Sequence, residues 1–181
     1  MSSVLTSTFL DLIRIVGGLY IMAVLLRFLL QLVKADFYNP ISQAIVKITS
    51  PLLNPVRKVV PGVAGLDMAA VVLAVILQIG LVYLLLTLQS GMAPFEQVLI
   101  YSLKELAMQF LNIYFYSLII IAIASWVASG SHNPGLMLLY QITEPLTGRI
   151  RKVIPPMGGL DFSPMVLLLA IYTLNNILRA L

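Results

Sequence analysis

Two adjacent basic pairs, Arg57-Lys58 and Arg151-Lys152, are the groups of this chain best placed to do chemistry, and each arginine precedes an aspartate (Asp67, Asp161) by ten positions. Guanidinium and ammonium groups side by side suit anionic oxygen, either lipid phosphates or the carboxylates of an acidic partner. Near an anionic membrane surface each basic group contributes about 1 kcal/mol. The plainer reading is a topology signal made of solvated charges. The two aspartates fit helix N-caps, where a carboxylate accepts amide hydrogens at the positive end of the helix dipole. An ion site made jointly by both is the sharper alternative. Arginine–aspartate ion pairs are also in reach, and are worth little if exposed.

Other chemistry finds no support. The chain has no cysteine and a single histidine, His132, which removes thiolate sites and multi-histidine metal clusters. His132 lies beside Asn133-Pro134 and reads as a loop residue. No serine has a recognisable base and orienting acid. Gly17-Gly18 sits inside an apolar run, which is no place for a phosphate loop. The expectation is a non-enzymatic protein with no catalytic residue, no cofactor and no bound metal.

One polar stripe needs a structural answer. Glu105, Gln109, Asn112 and Tyr116 are spaced by four, three and four, one face of a helix in an otherwise apolar run. Polar side chains in hydrocarbon need partners, so this face should meet another helix or a wet cavity. Thr173 and Asn176 are the expected partners in the last apolar run, and Arg27 is a further intramembrane polar group.

The elements that carry these groups follow from composition and repetition. The 181 residues are 60% hydrophobic and 10% charged, far from the about 25% charged of soluble domains, so the bilayer is the natural solvent. Four apolar runs are long enough to cross it at about 1.5 Å per residue: 12–33, 68–88, 106–128 and 162–178. Met1 to Phe9 has no basic region and no cleavage site follows, so the first run is expected to remain as an anchor.

Between the runs the chain repeats itself. Asn39-Pro40, Thr49-Ser50-Pro51-Leu52, Arg57-Lys58-Val59-Val60-Pro61 and Gly65-Leu66-Asp67 recur as Asn133-Pro134, Thr143-Glu144-Pro145-Leu146, Arg151-Lys152-Val153-Ile154-Pro155 and Gly159-Leu160-Asp161. Every pair is 94 positions apart, and 13 of the 29 positions from Asn39 to Asp67 are identical to their counterparts. That density without a gap marks a duplication, with one copy in residues 1–90 and the other in 95–181. Two spans per copy give both copies one orientation, so a pseudo-twofold axis along the membrane normal is expected, not an inverted repeat.

Within 39–60 and 133–154 the apolar residues follow helical spacing. A short amphipathic helix in the interface is the simplest reading, and a re-entrant hairpin the competing one. Pro51, Pro55 and Pro61 are expected to prevent a continuous helix through this stretch. Pro51, Pro61, Gly65 and their mates then shape the backbone into the next span. The fold class is all-α: four transmembrane helices as two parallel tandem repeats, each with an interfacial or re-entrant helix and a proline-rich loop.

At these motifs the chain resembles the YggT family of bacterial and plastid membrane proteins. Asn-Pro, Thr-x-Pro-Leu, Arg-Lys-Val-x-Pro and Gly-Leu-Asp occur in the family's order, twice, and cover essentially the whole chain. There are departures. The family's unit usually has an arginine upstream and then a Ser-Trp pair; the first copy keeps Arg27 but has Gln31-Leu32, whereas the second keeps Ser125-Trp126 but has Ile121. The resemblance implies an integral inner-membrane or plastid-membrane protein, associated variously with cell division or nucleoid distribution, cytochrome assembly, and osmotic or ion stress.

Orientation follows from basic residues. Lys34, Lys47, Arg57, Lys58, Arg149, Arg151 and Lys152 fall on the two loops, against Arg14, Lys104 and Arg179 on the opposite side. Seven against three places both loops in the cytoplasm and both termini outside. The leading functional expectation is a membrane scaffold or assembly factor of the cell envelope, whose basic loops recruit anionic lipid or a membrane or cytoplasmic protein. Ion conduction, or an osmotic-stress role, through a pathway between the repeats is the alternative. Four short spans bury little surface, so a homo-oligomer is a further candidate. The dispersed charge gives no footprint for nucleic acid.

Overall fold

The computed structural model of the chain describes residues 2–63, 65–92, 94–127, 133–156 and 161–180. Among these there are six helices: α1 (Ser2–Leu32), α2 (Pro40–Arg57), α3 (Met68–Ser90), α4 (Phe95–Val127), α5 (Pro134–Val153) and α6 (Ser163–Ala180). Four of them contain stretches long and apolar enough to cross a membrane: Val4–Leu32, Met68–Gln89, Phe95–Ser125 and Ser163–Ala180. Their outward faces stay apolar: Leu12, Ile15, Val16 and Leu19 of α1, and Met165 and Leu169 of α6, are exposed. In water such surface would be a liability, whereas beside lipid it costs nothing.

The third span starts well ahead of its expected bound. α4 begins at Phe95 and runs through Lys104 and Glu105, because charged residues interrupt an apolar run without interrupting a helix. Pro94 precedes it, where a missing amide is harmless.

The two short helices also differ from expectation. α2 continues through Pro51 and Pro55 to Arg57, and α5 continues through Pro145 to Val153. The expected interruption at Pro51 and Pro55 is therefore absent, although α2 does end before Pro61. Each proline deprives the carbonyl four residues back of its amide partner. For Pro51 that carbonyl belongs to Lys47, and both residues are exposed, so solvent or headgroups can replace the lost bond. Serine and threonine hydroxyls back-bond beside the break, Thr49 to Ile45 O at 2.7 Å and Thr143 to Leu139 O at 2.9 Å.

The chain forms two compact units, Met1–Phe28 with Ile45–Ala107 and Leu29–Ala44 with Met108–Leu181. In the first, Ile21, Val24 and Leu25 of α1 are buried with Leu53 of α2, Val98 of α4, and Ala69, Ala70, Leu73 and Ala74 of α3. A Cβ on Gly17 would lie 2.8 Å from Leu81 Cδ1, so glycine allows α1 and α3 to approach here. In the second unit, Leu138 and Ile142 of α5 are buried with Leu167 and Ile171 of α6, and with Ile113, Tyr114, Leu118 and Ile121 of α4.

Candidate functional site

The repeated motif begins with a helix cap. Asn39 Oδ1 accepts from Ile41 N at 2.9 Å, and Asn133 Oδ1 accepts from Gly135 N at 2.8 Å. Pro40 and Pro134 occupy the first helical positions, where an amide is not needed. Asn39 also donates through Nδ2 to Pro134 O at 2.8 Å. A Cβ on Gly135 would lie 3.3 Å from Ile41 Cδ1. The starts of α2 and α5 thus meet at positions that are counterparts in the repeat. Asp36 N donating to Gln141 Oε1 at 3.0 Å adds a tie within the same unit.

Arg27 is the buried centre of the first module. Its Nη1 donates to Val46 O at 3.0 Å, Thr49 Oγ1 at 2.7 Å and Ser50 Oγ at 3.0 Å. Two hydrogens are therefore shared among three oxygens of one turn of α2, and Tyr20 OH reaches Ile48 O at 3.4 Å from the same helix. None of the ion pairs among the described residues includes Arg27. Hydrogen bonds to charged groups contribute about 1.5–3 kcal/mol each, which is how a cation in a span is held without a carboxylate. The second copy has Ile121 at the counterpart of Arg27 and Glu144 at the counterpart of Ser50. There the cation comes from α5 itself, Arg151 Nη1 to Glu144 Oε1 at 2.9 Å.

Each module closes with an ion pair between the end of its short helix and the start of the next span. Arg57 grips Asp67 with two nitrogens, Nη2 on Oδ2 and Nε on Oδ1. Asp67 is buried and Arg57 half-exposed. Asp67 occupies the N-cap position of α3 but its side chain makes no capping bond. The expected cap is thus replaced by the arginine pair, which occupies both oxygens of Asp67. Asp161 does both jobs. Its Oδ1 accepts from Ser163 N at 2.9 Å and Ser163 Oγ at 2.6 Å, while Oδ2 takes Arg151 Nε at 3.0 Å and Nη2 at 2.9 Å. The Ser163 hydroxyl, then its amide and Arg151, hold the Asp161 carboxyl below its usual range against the opposing effect of burial. Glu144, then Asp161, push the Arg151 guanidinium further up.

The turn between Arg57 and Asp67 is set by glycine. Val63 and Leu66 exchange two backbone bonds of 3.1 and 2.9 Å, and Gly65 between them has φ +81, a conformation that side chains disfavour. Pro61 is exposed just ahead of it, as is Pro155 in the second copy. Gly159 and His132 lie outside the described residues.

With both arginines engaged, the lysines are the outward charges. Lys58 and Lys152 are exposed and have no partner among the described residues, and each precedes a valine that is 80% exposed or more, Val59 and Val153. Lys47 and Arg149 are likewise exposed. Arg57 and Arg151 sit in the last turns of α2 and α5, the dipole's negative end.

The polar stripe of α4 finds a partner one residue from the expected one. Asn112 Oδ1 accepts from Asn175 Nδ2 at 3.1 Å. Asn175 is buried in line with Leu167 and Ile171, whereas Asn176 is exposed, and Thr173 back-bonds to Leu169 O at 2.9 Å. Glu105 and Tyr116 are exposed, and Gln109 is half-buried. Among the described residues no cluster of three histidines or carboxylates could hold a metal. A cavity of about 550 Å³, lined by Thr6, Asp11, Arg14 and Gln89 among others, lies between the start of α1 and the end of α3.

Residues 6–89 and 100–181 each match the CCB3/YggT family. The chain belongs to the CCB3/YggT family. Among its relatives are uncharacterised proteins of Pseudomonas aeruginosa, 48% identical over 88% of this chain and 82% of theirs, and of Vibrio alginolyticus, 40% identical over 91% and 89%. The uncharacterised YggT protein of Escherichia coli K12 is 38% identical over 94% of this chain and 87% of its own. No solved structure matches. The tandem family match fits the geometry, since each copy carries the Asn-Pro cap and the arginine–aspartate brace.

Proposed function

We propose that this CCB3/YggT protein is a non-enzymatic scaffold or assembly factor of the bacterial inner membrane. Its loops face the cytoplasm, both termini lie outside, and its two basic modules recruit a membrane or cytoplasmic partner of acidic character or anionic lipid. One observation carries the reading. In both copies the arginine of the Arg-Lys pair is pinned to an aspartate, while the side chain of the adjacent lysine projects without a partner among the described residues. A braced loop presents its charge at little ordering cost, which is what recruitment requires. The charges that recruit are then Lys58 and Lys152, with Arg57 and Arg151 as their supports. The same pairing engages Asp67 and Asp161, the carboxylates on which an ion-conducting reading would lean.

Crosslinking in the native membrane tests this, with a photoreactive group placed beside Lys58 or Lys152. Capture of an acidic protein or an anionic lipid is expected to fall at least severalfold when both lysines become glutamine, with insertion unchanged. Equal capture by the Lys58→Gln, Lys152→Gln double variant would overturn the proposal.

A further inference from the structure

The two short helices are copies in sequence but not in exposure, and the difference assigns them different surroundings. α2 has three faces. Ser42, Thr49 and Leu53 are buried against the protein. Gln43, Lys47, Asn54 and Lys58 form an exposed polar strip that runs down the helix and just past its end. Ala44, Ile48 and Leu52, at intervals of four, form an exposed apolar stripe about 12 Å long at 1.5 Å per residue. Ile48 is 56% and Leu52 48% exposed. In α5 the counterparts of Ala44 and Ile48 are Leu138 and Ile142, which are 3% and 1% exposed. In the second copy protein covers these two positions and half-covers the third, Leu146. In the first, none of the described residues does.

We infer that the α2 stripe is the protein's own lipid-docking face: it lies in the acyl layer of an anionic leaflet with Lys47 and Lys58 at its phosphates, and α5 has no such role. Three features select lipid over protein as the occupant. α2 contains no acidic residue, and Lys47 and Lys58 border the stripe on its polar side, matching anionic headgroups. Exposed Phe37 and Tyr38 stand just ahead of the helix, aromatic rings of the kind that settle at headgroup depth. The four apolar spans bring a bilayer alongside. α5 departs in the charge at the middle of its polar side, although Lys152 keeps the place of Lys58. Gln141 stands at the counterpart of Lys47 and is bonded to Asp36 N, and Glu144 adds an anion. The inference rests on the scaffold reading only for the anionic character of the surface, and it narrows that reading to the first copy.

The chain lacks cysteine, so single labels are simple to place in the full-length protein. An environment-sensitive fluorophore on Ile48→Cys, Leu52→Cys, Gln43→Cys or Asn54→Cys is followed in proteoliposomes of phosphatidylcholine with and without phosphatidylglycerol. Labels at 48 and 52 are expected to be quenched by brominated acyl chains and to resist iodide, with labels at 43 and 54 the reverse. Phosphatidylglycerol should deepen the labels at 48 and 52, and Lys47→Gln with Lys58→Gln should remove at least half of that gain. Iodide quenching at 48 and 52, or energy transfer between copies in place of acyl quenching, would overturn the inference. The crosslinking assay above reads recruitment separately, so lost capture with intact acyl quenching would leave this inference standing and remove the other.

Discussion

Arg27 shows what one residue does when its partners are neutral. No ion pair among the described residues includes Arg27, so the consequence of Arg27→Gln is expected locally, in the part of α2 that it bonds. Val46 O, Thr49 and Ser50 would lose a shared donor worth about 1.5–3 kcal/mol per bond. Amides of Ile45–Arg57 should then exchange roughly tenfold faster or more, with α5 unchanged, as hydrogen exchange would report. Equal acceleration in both helices would refute this local role. Asp161 gives a pH prediction at the same scale. Its carboxyl titrates below the usual range in the folded chain, so its stabilising contribution is complete above the ordinary aspartate value near about 3.9 and is lost as pH falls through the lower folded value. Because the pair with Arg151 is partly exposed, Asp161→Asn should cost about 1 kcal/mol or less at neutral pH. That difference from wild type should vanish at strongly acidic pH, as thermal unfolding in detergent would show.

Among the elements, the prolines of α2 and α5 mark where reading by residue type stops short. Helical spacing from Ile41 to Leu52 was legible, as were the four spans and the duplicated Arg-Lys and aspartate positions. Continuation through Pro51 was not, because it depends on whether Lys47 O finds solvent, a matter of which face is outward. Asn175 shows the same limit. Neighbouring asparagines point about 100° apart on a helix, and only packing of α6 decides that Asn175, not Asn176, meets Asn112. The buried face of α5 is a third case, since its residues resemble those of α2 in type and differ in what covers them. Pro51→Ala would restore the missing amide to an already helical site. It should stabilise α2 by roughly 1–3 kcal/mol, up to the proline penalty for a helix interior, with slower exchange at Leu52 and Leu53. A loss of helix in circular dichroism would show that Pro51 shapes α2 in some way beyond the missing bond.

At the scale of the whole molecule, the family match, the tandem motifs and the four apolar spans agree on a duplicated membrane protein. In the proposed topology an even number of spans returns the chain to the side on which it began, with both termini on one face and the loops of α2 and α5 on the other. The proposed orientation rests on charge. Basic residues near the span ends stay in the cytoplasm because they resist translocation, while acidic residues count for little. In that topology Lys34, Lys47, Arg57, Lys58, Arg149, Arg151 and Lys152 would fall on the short-helix side, against Arg14, Lys104 and Arg179 on the other. The ion pairs of Arg57 and Arg151 do not weaken this, since orientation is chosen during insertion, before folding forms those bonds. A reporter active only in the cytoplasm should therefore be silent at either terminus and active when inserted after Pro61. Converting Lys34, Lys47, Lys58 and Arg149 to glutamine would leave three basic residues on each side by count, and the population should then divide between orientations. A single unchanged orientation in that variant would mean that packing, not charge, sets the topology.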